Sequence, residues 1–192
     1  MESLIVPLAV IAAPVLLFLI WFGATYNRFV SLRQHLSESW ADIDVELKRR
    51  YDLIPNLVET VKGYAAHERA VLAEVTELRN RAAANHGAAT AQAADESALA
   101  LGMKHLFAVA ENYPQLKADG HFLALQQELA ITEDRLAAAR RFYNANVREL
   151  NSLCQRVPTN LVASMFDVDR ADYFELASEA ERVVPRLDLA AR

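Results

Sequence analysis

The chain has 192 residues, and 25 acidic against 20 basic side chains give it a net charge of −5. That acidity argues against a nucleic-acid partner, which needs a basic face. A single cysteine, Cys154, excludes an intrachain disulfide framework. Only five glycines and six prolines interrupt a composition rich in Ala, Leu, Glu and Arg, so helix is expected throughout.

No charged residue occurs from Leu4 to Thr25. At ~1.5 Å per residue this run spans roughly 33 Å as a helix, enough for the hydrocarbon core of a bilayer. Trp21, Phe22 and Tyr26 stand at its end, where amphipathic rings favour the membrane interface. A cleaved signal peptide fits less well: Met1, Glu2 and Ser3 bring no Lys or Arg, and no small-x-small site precedes Tyr26. Pro7 and Pro14, seven apart, fall on one face and are tolerated in lipid when neighbours satisfy the freed carbonyls.

Beyond the run, Phe29, Leu32, Leu36, Trp40, Ile43, Leu47 and Tyr51 recur at spacings of three and four. This is one apolar helical stripe, with Glu38, Asp42, Glu46, Arg49 and Arg50 assigned to the opposite, solvated face. Pro55 predicts a kink or tight elbow, with Asp52 available as a cap. After it Leu57, Val61, Tyr64, Glu68, Val71, Val75, Leu78 and Ala82 continue a 4-3 repeat. Residues 83–95 lack large apolar groups and contain Gly87, so they read as a loop or frayed end. Leu99, Met103, Leu106, Ala110 and Tyr113 mark a shorter helix closed by Pro114.

The strongest periodicity begins at Phe122 and runs through Leu125, Leu129, Thr132, Leu136, Ala139, Tyr143, Asn146, Leu150 and Leu153 to Val157. Five heptads of 3-4 alternation predict a long coiled-coil-like helix that Pro158 ends. Leu136, at its centre, is expected to be buried, and Arg140 to lie on the surface. Leu161, Val162, Met165, Phe166, Tyr173 and Phe174 make the following segment too apolar to dangle. Asn144, Asn146 and Asn151 crowd the long helix although Asn is a poor helix former, and helix register is the expected reason.

Catalytic chemistry finds no carrier in these patterns. His35, His67, His86, His105 and His121 are scattered, and the residues three before them are never Glu, as a di-iron bundle would require. His67 and Glu68 open like a zincin motif, but Val71 stands where the second ligand belongs. No phosphate-binding glycine loop, Cys-x-x-Cys pair or nucleophile elbow is present. Cys154, with no activating base nearby in sequence, reads as an inert thiol. Catalytic, cofactor-binding and metal-ligating residues are all expected to be absent. Glu133, Asp134 and Arg135 read as salt-bridge formers within or on the bundle.

One stretch, Trp40-Ala41-Asp42-Ile43-Asp44-Val45-Glu46-Leu47-Lys48-Arg49-Arg50-Tyr51-Asp52-Leu53-Ile54-Pro55-Asn56-Leu57-Val58, resembles the hallmark of the LemA family of bacterial membrane proteins. Glu111-Asn112-Tyr113-Pro114-Gln115-Leu116-Lys117-Ala118 is similar to a second block. A third joins Thr132-Glu133-Asp134-Arg135-Leu136 to Ala139-Arg140-Arg141-Phe142-Tyr143-Asn144. Departures are Val157, where the family usually has Phe, and Gly120 in the approach to Phe122. The resemblance implies a single-pass anchor with an antiparallel helical bundle, and no reaction. Relatives encoded beside membrane metallopeptidases, and a branch similar to magnetosome membrane-organising proteins, suggest partners or membrane organisation.

The expected architecture is therefore all-α: an N-terminal transmembrane helix followed by an elongated antiparallel bundle of three to four long helices. Residues 1–25 form the anchor, 26–175 the LemA-like bundle and 176–192 a C-terminal tail. The expected role is a non-enzymatic, membrane-anchored scaffold or adaptor acting through protein–protein contacts. The alternative is a regulatory subunit of a membrane-associated enzyme such as a metallopeptidase. Its expected partners are the lipid bilayer and either a second copy or another membrane protein, with no nucleic acid and no small-molecule substrate. Arg28, Arg33 and Lys48 to Arg50 follow the span, which places the bundle on the cytoplasmic side of the inner membrane.

Overall fold

A computed structural model describes residues 2–177, with side-chain environments from residue 12 onward. The C-terminal tail expected over 176–192 lies outside the described residues from 178 on, as does the side chain of Pro7. Among the described residues the chain is all helical: α1 (Glu2–Tyr64), α2 (Arg69–Ala84), α3 (Ala89–Glu111), α4 (Pro114–Lys117), α5 (Gly120–Gln155) and α6 (Thr159–Met165).

Two compact units divide the chain. Among the described residues, one comprises 2–38 and 145–171, the other 39–144 and 172–177. In the first, Phe29, Leu32, Leu150, Leu153, Val162 and Ala163 form a buried cluster, with Trp21, Phe22 and Leu36 packed against it. In the second, Ile43, Leu47, Ile54, Leu57 and Val61 of α1 are buried, as are Leu99, Met103 and Leu106 of α3 and Leu129 and Leu136 of α5. The expected stripe and the five-heptad seam thus do line cores, except that Val157 falls past the end of α5 and is exposed.

The expected elbow at Pro55 does not form: α1 continues through it to Tyr64. Proline has no N–H to offer the carbonyl four residues back, here that of Tyr51, and an interior proline costs ~3 kcal/mol or more. Arg79 of α2 supplies the missing donor, its Nε lying 3.0 Å from the Tyr51 carbonyl oxygen. A second helix thus satisfies the orphan carbonyl. Arg79→Ala should therefore cost about 1–3 kcal/mol. In a Pro55→Ala background the same change should cost less, because the alanine's own N–H can then reach the Tyr51 carbonyl. Denaturant titrations of the four proteins check this, and equal costs in both backgrounds would refute the pairing.

The 4-3 repeat after Pro55 is not one helix either. It crosses a turn at residues 65–68, where the Glu68 N–H reaches the Ala65 carbonyl, and Tyr64 is exposed with its hydroxyl on Asp119 at 2.9 Å. Conversely, most of the tract 83–95 is helical, and only residues 85–88 separate α2 from α3. Alanine forms helix well, and small side chains let α2 and α3 close together. The approach is close at Gly102, where an added Cβ would lie 2.6 Å from Leu78 Cδ1. Asn85 shapes the turn, accepting from the Gly87 N–H at 2.9 Å and donating to Asp95 at 2.7 Å.

Pro114 closes nothing; it opens α4 at its first turn, where a proline lacks no useful donor. Asp119 then caps α5: its Oδ1 accepts the N–H groups of His121 and Phe122, each at 2.9 Å. The bond from the Phe122 N–H, with that of Tyr64, holds this carboxyl below the usual range.

Of the three asparagines of α5, buried Asn146 donates to the His35 carbonyl of α1 at 3.4 Å, as a register-setting amide would, whereas Asn144 and Asn151 do something else. Asn144 donates to the Phe174 carbonyl at 3.0 Å and accepts from the Phe174 N–H at 2.9 Å. Asn151 does the same to Ala171, at 2.9 Å for both bonds. Each amide acts as a main-chain mimic that fixes one residue of the irregular segment after α6. The Phe174 ring completes its own attachment, buried edge-on against Trp40 at 5.5 Å.

Candidate functional site: a buried charge network

The second unit encloses the densest polar cluster of the described residues. Arg50 on α1 is 1% exposed and Glu96 on α3 is fully buried. The Arg50 Nη2 and the Glu96 Oε2 form an ion pair, and Arg50 Nη1 donates to Glu133 Oε1 of α5 at 2.9 Å. The Tyr51 hydroxyl donates to Glu96 Oε1. Gln92 Nε2 lies 3.0 Å from that hydroxyl, 2.9 Å from Glu96 Oε1 and 3.1 Å from the Ala82 carbonyl oxygen. One guanidinium, two carboxylates, a phenol and an amide thus tie three helices together. A buried charge is tolerated when paired and hydrogen-bonded. Arg50 is paired through Nη2 and hydrogen-bonded through Nη1, while its buried Nε lacks a hydrogen-bond partner among the described residues.

Arg50 therefore does not belong to the solvated face. It is buried, whereas Arg49 beside it stays near the surface with Glu128 at 3.1 Å. Glu133 does form the expected salt bridge, with Arg50 as its partner. The sequence reading misses Gln92 and Glu96, yet a signal exists. Gln92, Glu96, Leu99, Met103, Leu106 and Ala110 share one 4-3 spacing, as do Ile43, Leu47, Arg50, Ile54, Leu57 and Val61. A charged residue that keeps the period of a buried seam is itself a candidate for burial.

Beside the network opens a cleft of about 420 Å³, lined among others by Asp44, Lys48, Asp52, Arg79 and His86. Tyr51 forms part of its wall. Burial pushes the Tyr51 phenol up to about 12; Asp44 and Asp95 push the same way, while Arg50 and the Gln92 hydrogen bond oppose. The folded chain thus holds this proton more tightly than the unfolded chain, whose tyrosine titrates near 10. The resulting stability is complete below pH 10 and is lost as pH climbs from 10 to 12. Alkaline unfolding followed by circular dichroism should show a shallower loss over that window in Tyr51→Phe; identical slopes would contradict it.

Nothing in this arrangement supplies a nucleophile with its base. All five histidines are exposed, and among the described residues no three His, Cys, Asp or Glu side chains converge to hold a metal. Cys154 is half-buried, its thiol 3.6 Å from the Val168 carbonyl oxygen, and burial raises its pKa. What the network does chemically is lock helices at fixed positions.

The fold and its interior define a class: a helical protein with one N-terminal helix apolar and long enough to cross a membrane, and a body held by an interior ion network. Comparison with known proteins gives the family. The LemA family matches residues 39–189, and the chain belongs to it. It is 27% identical to Protein LemA of Metamycoplasma hominis over 176 residues, covering 88% of this chain and 80% of that one. It is 23% identical to Magnetosome protein MamQ 2 of Paramagnetospirillum magneticum over 189 residues, covering 84% and 70%. Identity to Magnetosome protein MamQ of Magnetospirillum gryphiswaldense is 21% over 174 residues, with 78% and 64% covered.

Proposed function

We propose that this chain is a non-enzymatic scaffold, tethered to the inner membrane by the start of α1, whose helical body meets a second copy or another membrane protein on the cytoplasmic side. The observation that carries the tether is the run Val15 to Ile20, whose six large side chains are each more than half exposed. Burying such side chains is worth about 1.5–3 kcal/mol apiece, and a bilayer is the surrounding that does so. The body offers rigid helical faces and an interior network in place of a reactive centre. Relatives named as magnetosome proteins carry the name of an assembly rather than of a reaction, which favours the same reading.

Trp21 and Phe22 pack against the buried cluster of the first unit, so a truncation that spares the fold starts at Trp21. The full chain should sediment with membranes and need detergent for release, and the truncated chain should be soluble and helical. Full-length protein free in the soluble fraction would overturn the tether. For the scaffold, Asn27→Cys in a Cys154→Ser background should crosslink in intact membranes to a second copy or to another membrane protein. A chain that stays unlinked at native expression overturns that role. Protease added to spheroplasts should spare the body, and cleavage there reverses the orientation.

A further inference from the structure

The segment from Val157 to Phe166 contains no charged residue, though Arg156 and Asp167 bound it. It holds α6, whose Val162 and Ala163 point into the cluster formed with Phe29, Leu32, Leu150 and Leu153. Large apolar side chains are also exposed here: Val157, in the turn before α6, and Leu161 and Met165, one turn apart on α6, are 75%, 64% and 68% exposed. Three exposed large aliphatic side chains in so short a segment, without a charge among them, are unusual on a surface facing water.

Their position gives the reason. The Phe166 ring, at the end of α6, lies 5.9 Å from that of Phe22 and 4.6 Å from that of Tyr26. Phe22 and Tyr26 lie in the last turns of the charge-free run of α1, which reaches Asn27 and ends before Arg28. The headgroup zone extends roughly 5–8 Å beyond the hydrocarbon on each side of a bilayer. One turn of α1 covers ~6 Å, so α6 is pinned at the height of that zone. Accordingly, and resting on the tether proposed above, we propose that α6 is a second membrane contact: an interfacial helix that lays Val157, Leu161 and Met165 into the bilayer surface beside the anchor.

The occupant is lipid, and its acyl boundary rather than its charge. Across residues 28–38 and 145–171 five arginines are set against four carboxylates, leaving almost no net attraction for anionic headgroups. Arg28 is occupied by Glu149 at 2.9 Å, and Arg33 by the Asp167 carbonyl oxygen at 2.9 Å. Apolar burial drives interfacial helices of this kind, and tolerance of uncharged lipid and of salt follows.

The test uses the full chain in phosphatidylcholine vesicles, with single nitroxide-labelled cysteines in a Cys154→Ser background. Positions are Leu17→Cys in the anchor, Leu161→Cys and Met165→Cys on α6, and His105→Cys as an exposed reference. Collision with oxygen, which concentrates in lipid, is compared with collision with a water-soluble nickel chelate. Labels at 17, 161 and 165 should favour oxygen severalfold over the label at 105, unchanged in high salt. A lipid-like signal at 17 with water-like signals at 161 and 165 overturns the α6 contact and leaves the tether standing. Water-like signals at all four positions overturn the tether instead. Labels at 161 and 165 shielded from both reagents would show a protein surface over the stripe, which also overturns the proposal.

Discussion

Arg50→Ala should remove about 3–5 kcal/mol of unfolding free energy, the range for breaking a buried ion pair from one side. The cost follows from what stays behind. Glu96 is fully buried, and without the guanidinium it keeps only the Tyr51 hydroxyl and the Gln92 amide as donors. Glu133 is less exposed to the loss, since part of its side chain reaches solvent. The companion experiment is Arg50→Met with Glu96→Leu, which removes both charges and fills the space with apolar groups. Replacement of a whole buried pair is often near neutral, so the double variant should be far more stable than the two single costs added together. Urea titrations of the wild type, Arg50→Met, Glu96→Leu and the double variant give the coupling directly. A cost for Arg50→Ala below about 1 kcal/mol would mean that water reaches Glu96, contrary to its burial.

Leu136→Ala should be the largest apolar loss on α5, about 2–5 kcal/mol, from the transfer energy of the deleted carbons and the cavity left behind. Leu136 is buried at the centre of the heptad seam, between Leu129 and Tyr143. Arg140 does not serve as the surface reference, because it is half-buried with its Nε out of solvent and is engaged by neighbours. Arg135 is exposed on the same helix, and Arg135→Ala should change stability by no more than about 0.5 kcal/mol. Equal effects at 135 and 136 would show that α5 presents a different face to the core.

Most helices are legible in the sequence because burial has a period. Leu32, Ile43 and Leu47, or Leu129 and Leu136, announce one face of a helix whatever else surrounds them. Periodicity does not announce which polar residues share that face. Arg50 and Glu96 keep the spacing of buried seams, but each charge looks solvated until its partner is located. Glu96 and Glu133, the partners of Arg50, stand far from it along the chain, on α3 and α5. Pro55 misleads for a related reason: a proline's local cost is plain in sequence, whereas its relief by Arg79 depends on packing of α2 against α1. The 4-3 run across residues 65–68 shows the reverse failure, since two helices can continue one repeat through a turn. The alanine tract before Leu99 looks featureless because its role is closeness, which small side chains provide without an apolar signature.

The two asparagine clamps bear on how this chain can change over generations. Asn144 and Asn151 grip only the amide and carbonyl of Phe174 and Ala171, and the Tyr143 hydroxyl likewise donates to the Asp172 carbonyl at 3.1 Å. A grip on main-chain atoms is blind to side-chain identity. Apart from the keyed ring of Phe174 and the packed methyl of Ala171, the clamped segment, exposed Asp172 included, can drift in sequence while keeping its address on α5. A chain of this fold can therefore vary the exposed side chains of the segment without needing a new way of holding it.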